Sequence, residues 1–280
     1  MANQPSITNP DADPGSPPAP GGADPASAPI ALSIEGGVAV ATLCRPPVNA
    51  IDDAWVARLN EVLDEAEADD GVRVLWIRSA QRVFCAGADL EFMRERFASA
   101  DGRRAMIDFT RRLQQVYARI ERSPKVSVAE IGGAALGGGF ELALACDLRV
   151  VADEARLGLP EARLGLLPAA GGTQRMTRIC GDALARRLIL GAEVVPGAEA
   201  VALGLAQWRA PLAGLQENAR VVVDRIAELP GPALRECKRC IAAALEPGDH
   251  GYEIELEGSG ALLALAETQQ RVRRFLERNA

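Results

Sequence analysis

Histidine is all but missing from this sequence: His250 is the only one in 280 residues. A Ser-His-Asp or Cys-His mechanism would have to rest on that one side chain, and a His-rich metal site is excluded. It stands in Pro247-Gly248-Asp249-His250-Gly251, a loop-forming run, and is expected to face solvent. Aromatic residues make up only 4% of the chain, while alanine and glycine are many, which favours close backbone packing. No apolar run is long enough to span a bilayer. No basic residue precedes Arg45 and no apolar h-region opens the chain, so neither a mitochondrial presequence nor a signal peptide is expected. The ending Arg278-Asn279-Ala280 is not a peroxisomal address. A cytoplasmic protein without a membrane partner is the expectation. Net positive charge is missing as well. At −7 the balance argues against non-specific nucleic-acid binding through a basic surface, and no nucleic-acid partner is expected.

The remaining composition, 48% hydrophobic and 25% charged, is that of a soluble globular protein with one large domain or two small ones. Six cysteines (Cys44, Cys85, Cys146, Cys180, Cys237 and Cys240) are spread through what read as core elements and are expected reduced and buried. Cys237 and Cys240 have CxxC spacing, but the pair stands alone within an amphipathic helical pattern and is read as structural. Residues 1–29 hold 8 of the 18 prolines amid alanine, glycine, serine and aspartate, and read as a disordered tail.

Order is expected from Ile30. Two alternating runs joined by Gly36-Gly37 predict a hairpin, and a proline-stiffened loop from Arg45 to Ala50 follows. The spacing of Val56, Leu59, Val62 and Leu63 predicts a helix over about 52–68, capped by Asp52 or Asp53. A buried strand is predicted over 72–78, and the run 84–90 passes from strand end to helix start with Asp89 placed to cap. A long charged helical stretch over 90–122, a strand over 126–131 and short strands near 148–150 and 156–157 come next. Gly171-Gly172-Thr173 opens another helix, and from 212 only helical periodicity remains. Strands alternating with helices and then an all-helical end predict an α/β core over 30–210 with a helical region over 211–280.

The chain is organised around residues 132–161. Gly137-Gly138-Gly139 brings backbone where side chains would obstruct, and the helix beginning near Glu141 offers unpaired N–H groups and the positive end of its dipole. Glu141 lies in the first turn of that helix, and Glu161 follows a Gly-x-Pro turn twenty residues later. A glutamate in a first turn ordinarily only complements the dipole. Two carboxyl groups beside an oxyanion donor are the parts needed for proton transfer next to a carbonyl. No Lys-Ser or Lys-Thr pair follows the glycines, so this is not a nucleotide P-loop.

Phe84-Cys85-Ala86-Gly87-Ala88-Asp89-Leu90, Ala135-Leu136-Gly137-Gly138-Gly139-Phe140-Glu141-Leu142-Ala143, Gly158-Leu159-Pro160-Glu161 and residues 167–175 resemble, in this order and spacing, the crotonase (enoyl-CoA hydratase/isomerase) superfamily. The resemblance covers about 30–280. It implies a spiral of ββα units followed by C-terminal helices that assemble trimers or dimers of trimers. Matched position by position, the N–H groups of Ala88 and Gly138 would form an oxyanion hole for a thioester carbonyl. Glu141 would take a proton from water and Glu161 would protonate Cα of a 2-enoyl-CoA. Ala86, Asp89 and Leu90 fall where relatives hold CoA through main-chain groups, Arg45 falls near its phosphates, and Phe92, Met93, Phe97 and Phe140 fall at the acyl pocket.

The resemblance thus implies an enoyl-CoA hydratase-type lyase with an acyl-CoA substrate. CoA belongs to the substrate, so no separate cofactor and no metal are implied. Other members of the superfamily are Δ3,Δ2-enoyl-CoA isomerases, methylglutaconyl-CoA hydratase-like enzymes, thioester hydrolases and non-catalytic CoA- or RNA-binding proteins. Retention of both glutamates favours hydration. This chain departs from common patterns at Glu91, where many relatives have lysine, and at Ala169, where glycine is frequent. It also lacks a Glu-Gly step before the last helix, leaving Arg274 and Arg278 both as candidates to reach a neighbour's CoA.

Overall fold

A computed structural model describes residues 28–245, 248 and 250–278. All but the last two positions of the expected tail lie outside the described residues, as does the side chain of Arg278. The described chain is α/β, with the spiral expected from the motifs. The Gly-Gly hairpin forms β1 (Ile30–Glu35) and β2 (Val38–Leu43), paired antiparallel from Ile30–Leu43 to Glu35–Val38. Helix α1 (Asp53–Ala68) is capped by Asp52, whose carboxylate accepts from the Trp55 amide at 2.8 Å. Its buried stripe of Trp55, Val56, Leu59, Val62, Leu63 and Ala66 has helical spacing. Strand β3 (Val74–Ser79) pairs parallel with β2.

The charged stretch 90–122 is two helices rather than one. Helix α2 (Leu90–Phe97) is capped by Asp89, and α3 (Ala100–Arg122) starts afresh because the Ser99 hydroxyl accepts from the Gly102 amide. Strand β4 (Val126–Ile131) leads to the short β5 (Ala134–Leu136) and then to α4 (Gly138–Ala145). Strands β6 (Leu148–Ala152) and β7 (Arg156–Gly158) repeat that long-then-short pattern. A 3-10 turn (Glu161–Leu164), α5 (Gly172–Cys180) and α6 (Asp182–Leu190) follow. Next come β8 (Val194–Pro196), the single turn α7 (Gly197–Ala200) and β9 (Trp208–Ala210). Helices α8 (Leu215–Ala227), α9 (Gly231–Ala243), α10 (Gly251–Leu263) and α11 (Ala266–Arg278) complete the chain.

Six strands form one sheet in the order β1-β2-β3-β4-β6-β9, and β5-β7-β8 form a second. Isolated parallel bridges, Ile51 with Ala88 and Cys85 with Ala135, extend the second layer into the earlier turns. Successive turns of the chain therefore supply a rung to both layers, which is the ββα spiral. Strands β3 and β4 are buried along nearly their whole length, as expected for parallel strands covered on both faces. Most of the few aromatics serve the interior, where Trp55, Trp76, Tyr117, Phe84 and Phe140 are among the largest fully buried side chains. Helix α8 packs on β3, β4 and β6, so the helical end begins by covering the large sheet.

All six cysteines are free thiols, but burial is not uniform. Cys85 and Cys146 are enclosed, and burial pushes both thiols up to about 12. Cys237 is exposed, contrary to expectation, because α9 turns that face outward. His250 is exposed in the loop before α10. Among the described residues no helix is long and apolar enough to cross a membrane.

Candidate active site

The crossing of the two layers brings the first turn of α4 against the segment 86–89. At Ala88 the bridge to Ile51 runs through its neighbours: the Ile51 amide donates to the Gly87 carbonyl at 2.9 Å, and the Asp89 amide donates to the Ile51 carbonyl at 3.0 Å. That alternation turns the Ala88 N–H to the opposite side. Gly138 is the first residue of α4, where helical geometry leaves the amide without an internal acceptor. Neither the Ala88 nor the Gly138 amide has an acceptor among the described residues. Both residues line one cavity of about 240 Å³.

Two glycines permit this approach. Gly87 has φ +96°, and a Cβ there would lie 3.3 Å from the Gly138 nitrogen and 2.9 Å from the Leu136 carbonyl oxygen. Gly137 has φ +51° and ψ −128°, a conformation closed to L-residues, and a Cβ there would lie 2.9 Å from Glu161 Oε1. A Gly137→Ala variant is expected to lose about 1–3 kcal/mol of stability and to displace the Glu161 carboxyl. Urea unfolding checks the first effect and turnover the second; an unchanged midpoint would show that the backbone relaxes freely here.

Glu141 and Glu161 both face this cavity. Glu141 is 3% exposed, and its Oε1 accepts from the Gly172 amide at 2.7 Å. Burial raises its carboxyl to about 7, against the Gly172 amide and with the repulsion of Glu161 adding to the rise. Glu161 begins its 3-10 turn after Pro160, and burial raises its carboxyl too. Its Oε2 is enclosed without a hydrogen-bond partner among the described residues. The two carboxyls differ in a useful way. Glu141 is held by amides that favour an anion, while Glu161 keeps an oxygen free to carry a proton.

The supports of this constellation come from distant parts of the chain. The Tyr117 hydroxyl, fully buried on α3, donates to the Gly138 carbonyl at 2.8 Å and ties α3 to the first turn of α4. At the other end of α4 the Arg149 guanidinium, 3% exposed, donates to the carbonyls of Ala143 at 3.1 Å and Cys146 at 2.8 Å. It also donates to the Leu205 carbonyl at 2.7 Å. A cation there complements the negative end of the helix dipole. Arg175 holds the loop that carries Gly172 by donating to the Ala170 carbonyl at 2.8 Å and to Glu121 at 2.6 Å.

The structure brings Ala86, Ala88, Leu90, Met93, Gly138, Glu141 and Glu161 to the cavity. Five of the expected contact residues lie outside the cavity lining. Arg45 is clamped between Asp52 at 2.9 Å and Asp89 at 3.1 Å and also donates to the Ala50 carbonyl. Its charge therefore straps the 45–52 loop to the start of α2. Asp89 spends its carboxylate on that ion pair and on the amides of Glu91 and Phe92, and its own amide on Ile51. Phe92 stacks between the Arg96 guanidinium at 3.5 Å and the Phe109 ring at 4.9 Å, behind the cavity wall. Phe140 is fully buried on the core side of α4, because Glu141 and not its neighbour takes the cavity side. Phe97 is half exposed and lies outside the cavity lining.

Sequence reasoning missed one whole wall. Met106, Phe109, Thr110 and Leu113 of α3 line the cavity, as do Leu164, Leu166 and Leu167 after Glu161. The α3 residues stand at i, i+3, i+4 and i+7, the signal that reading only the charged face of 94–112 obscured.

Comparison with known proteins follows the same lines. The model of the enoyl-CoA hydratase/isomerase family matches residues 33–280. The chain belongs to that family. It is 36% identical over 257 residues to a probable enoyl-CoA hydratase of Bacillus subtilis, covering 89% of this chain and 96% of the relative. It is 42% identical over 158 residues to the mitochondrial methylglutaconyl-CoA hydratase of Mus musculus, covering 56% of this chain and 49% of the relative. The crystal structure of an enoyl-CoA hydratase from Geobacillus kaustophilus superposes with a TM-score of 0.85 at 30% identity, covering 89% of this chain and 94% of that one. For this family member an acyl-CoA thioester is the consistent class of substrate.

Proposed function

We propose that this protein is an enoyl-CoA hydratase, adding water across the double bond of a 2-enoyl-CoA or running the reverse dehydration. The observation that carries the reading is the meeting of buried Glu141 and half-buried Glu161 with two unused amides, Ala88 and Gly138, in one apolar cavity. The thioester oxygen accepts from both amides. Glu141 as carboxylate takes a proton from water, whose oxygen bonds to Cβ. The electron pair of the double bond moves toward the carbonyl, and the oxyanion charge rests on the two N–H groups. Glu161 as carboxylic acid gives its proton to Cα, and the carbonyl re-forms. The pair ends with its proton exchanged between the two carboxyls, so no external acid, base, cofactor or metal is consumed. One oxyanion donor of this kind contributes about 3–4 kcal/mol to lowering the barrier.

The test is the loss of conjugated enoyl absorbance when crotonoyl-CoA meets the protein. If crotonoyl-CoA and longer 2-enoyl thioesters are untouched while 3-enoyl thioesters are converted, the activity is isomerisation instead. A gel shift with RNA beside that assay separates a non-catalytic role. The pH profile provides a second check. Glu141 must be ionised to take the proton, so kcat/KM is expected to fall as pH drops through about 7. A profile flat from pH 5 to 8 would remove Glu141 as the base.

Assembly as trimers or dimers of trimers and a cytoplasmic location belong to the same proposal. Ile241, Leu245, Tyr252, Leu256 and Leu263 expose large apolar side chains on α9, the turn after it and α10, the kind of surface that subunit contacts cover. A monomeric mass by light scattering at micromolar concentration would overturn the assembly.

A further inference from the structure

The cavity wall has a second property, beyond housing the acid/base pair. Only Glu141 and Glu161 carry charge among its described lining residues; no arginine, lysine or histidine reaches it. The nearest electrostatic influence of opposite sign, Arg175, is buried behind the loop and occupied by the Ala170 carbonyl and Glu121. Thr110 is the one hydroxyl in the wall, and it donates to the Met106 carbonyl of its own helix at 2.9 Å. Phe109 and Leu113, at 2% and 4% exposure, mark the closed end, while Leu90, Leu164 and Leu167, at 63–64%, mark the mouth.

We propose that this site selects thioesters whose acyl chain is wholly apolar and rejects chains ending in a carboxylate. The preference for a hydrocarbon chain follows from the wall of Met93, Met106, Phe109, Leu113, Leu164 and Leu166, which offers apolar contact to each added methylene. The rejection follows from charge. A distal carboxylate would be buried without a cation and beside two carboxyls already repelling each other, an arrangement whose desolvation nothing offsets. Methylglutaconyl thioesters carry such a carboxylate, so the similarity to the murine hydratase does not extend to its substrate. The inference rests on the hydratase reading for the placement of the thioester, and deepens it by naming the acyl class.

The test uses saturated thioesters, which bind but have no double bond to hydrate. Butanoyl-, pentanoyl-, octanoyl- and glutaryl-CoA are titrated into the wild-type protein by calorimetry. Each buried methylene multiplies affinity about fourfold. Octanoyl-CoA is therefore expected to bind at least tenfold more tightly than butanoyl-CoA, and pentanoyl-CoA at least tenfold more tightly than glutaryl-CoA, which has the same number of acyl carbons. Glutaryl-CoA binding as tightly as pentanoyl-CoA, or no gain from butanoyl to octanoyl, overturns the proposal. A Leu113→Phe variant, filling the closed end, is expected to weaken octanoyl-CoA about tenfold more than butanoyl-CoA; equal weakening of both would refute the placement of the chain. Because these ligands do not react, a protein that fails to hydrate crotonoyl-CoA yet shows this preference would lose the hydratase reading and keep the apolar-chain selection.

Discussion

Glu141→Gln and Glu161→Gln are each expected to lower kcat for crotonoyl-CoA hydration by about 10²–10⁴-fold, the usual contribution of a positioned acid or base. The carboxyls act as a unit. Burial raises both carboxyls, and on the proposed mechanism one must be charged while the other holds a proton, so either substitution removes the charge or the proton that the step needs. Effects within such a unit do not add, and the double variant is expected to lose little beyond the worse single one. Butanoyl-CoA affinity should change little, because the amides of Ala88 and Gly138 and the apolar wall are untouched. Stopped-flow absorbance with titration calorimetry on the same preparations decides the matter. A single variant that keeps more than a tenth of the wild-type rate would mean that its glutamate is not the acid or base.

Of the two substitutions, Glu141→Gln is also expected to stabilise the fold at alkaline pH. Glu141 titrates at about 7 in the native protein against 4.5 for an ordinary glutamate, with burial the leading cause. Between those values the native state holds a proton that the unfolded chain has released. Stability from this group is therefore greatest below 4.5 and is lost as pH rises to about 7, above which the penalty is complete. A displacement of that size corresponds to on the order of 3 kcal/mol, from which the desolvation of a glutamine amide must be subtracted. Glu141→Gln is expected to gain about 1–3 kcal/mol over wild type at pH 8 and almost nothing at pH 4.5. Urea unfolding at the two pH values reads the difference directly. Equal gaps at both would show that the carboxyl is not destabilised by its burial. On the proposed reading, the carboxyl that serves as base is kept at a cost in stability.

What was legible in the sequence was local. The Gly36-Gly37 hairpin, the Asp52 cap, the Asp89 cap and the helical end all rest on short-range chemistry: turn conformation, capping side chains and the period of apolar residues. Glu141 and Glu161 were legible because their motifs are contiguous. The break at Ser99 was not, since a charged helical pattern continues across it and only the cap interrupts the backbone.

The sequence by itself determined which residues can do chemistry: one histidine set aside, two glutamates and a glycine run retained. Only the tertiary structure decided what surrounds them. In the sequence Arg45 was only an unassigned charge until the fold paired it with Asp52 and Asp89, and Phe140 was a pocket candidate until α4 turned it into the core. The amide of Gly172 reaches Glu141 across 31 residues, and the wall from α3 joins the same cavity from a separate helix, by packing that no local pattern encodes. Side-chain identity sets what a residue can do; burial and the groups packed against it set its charge, its partner and its reach.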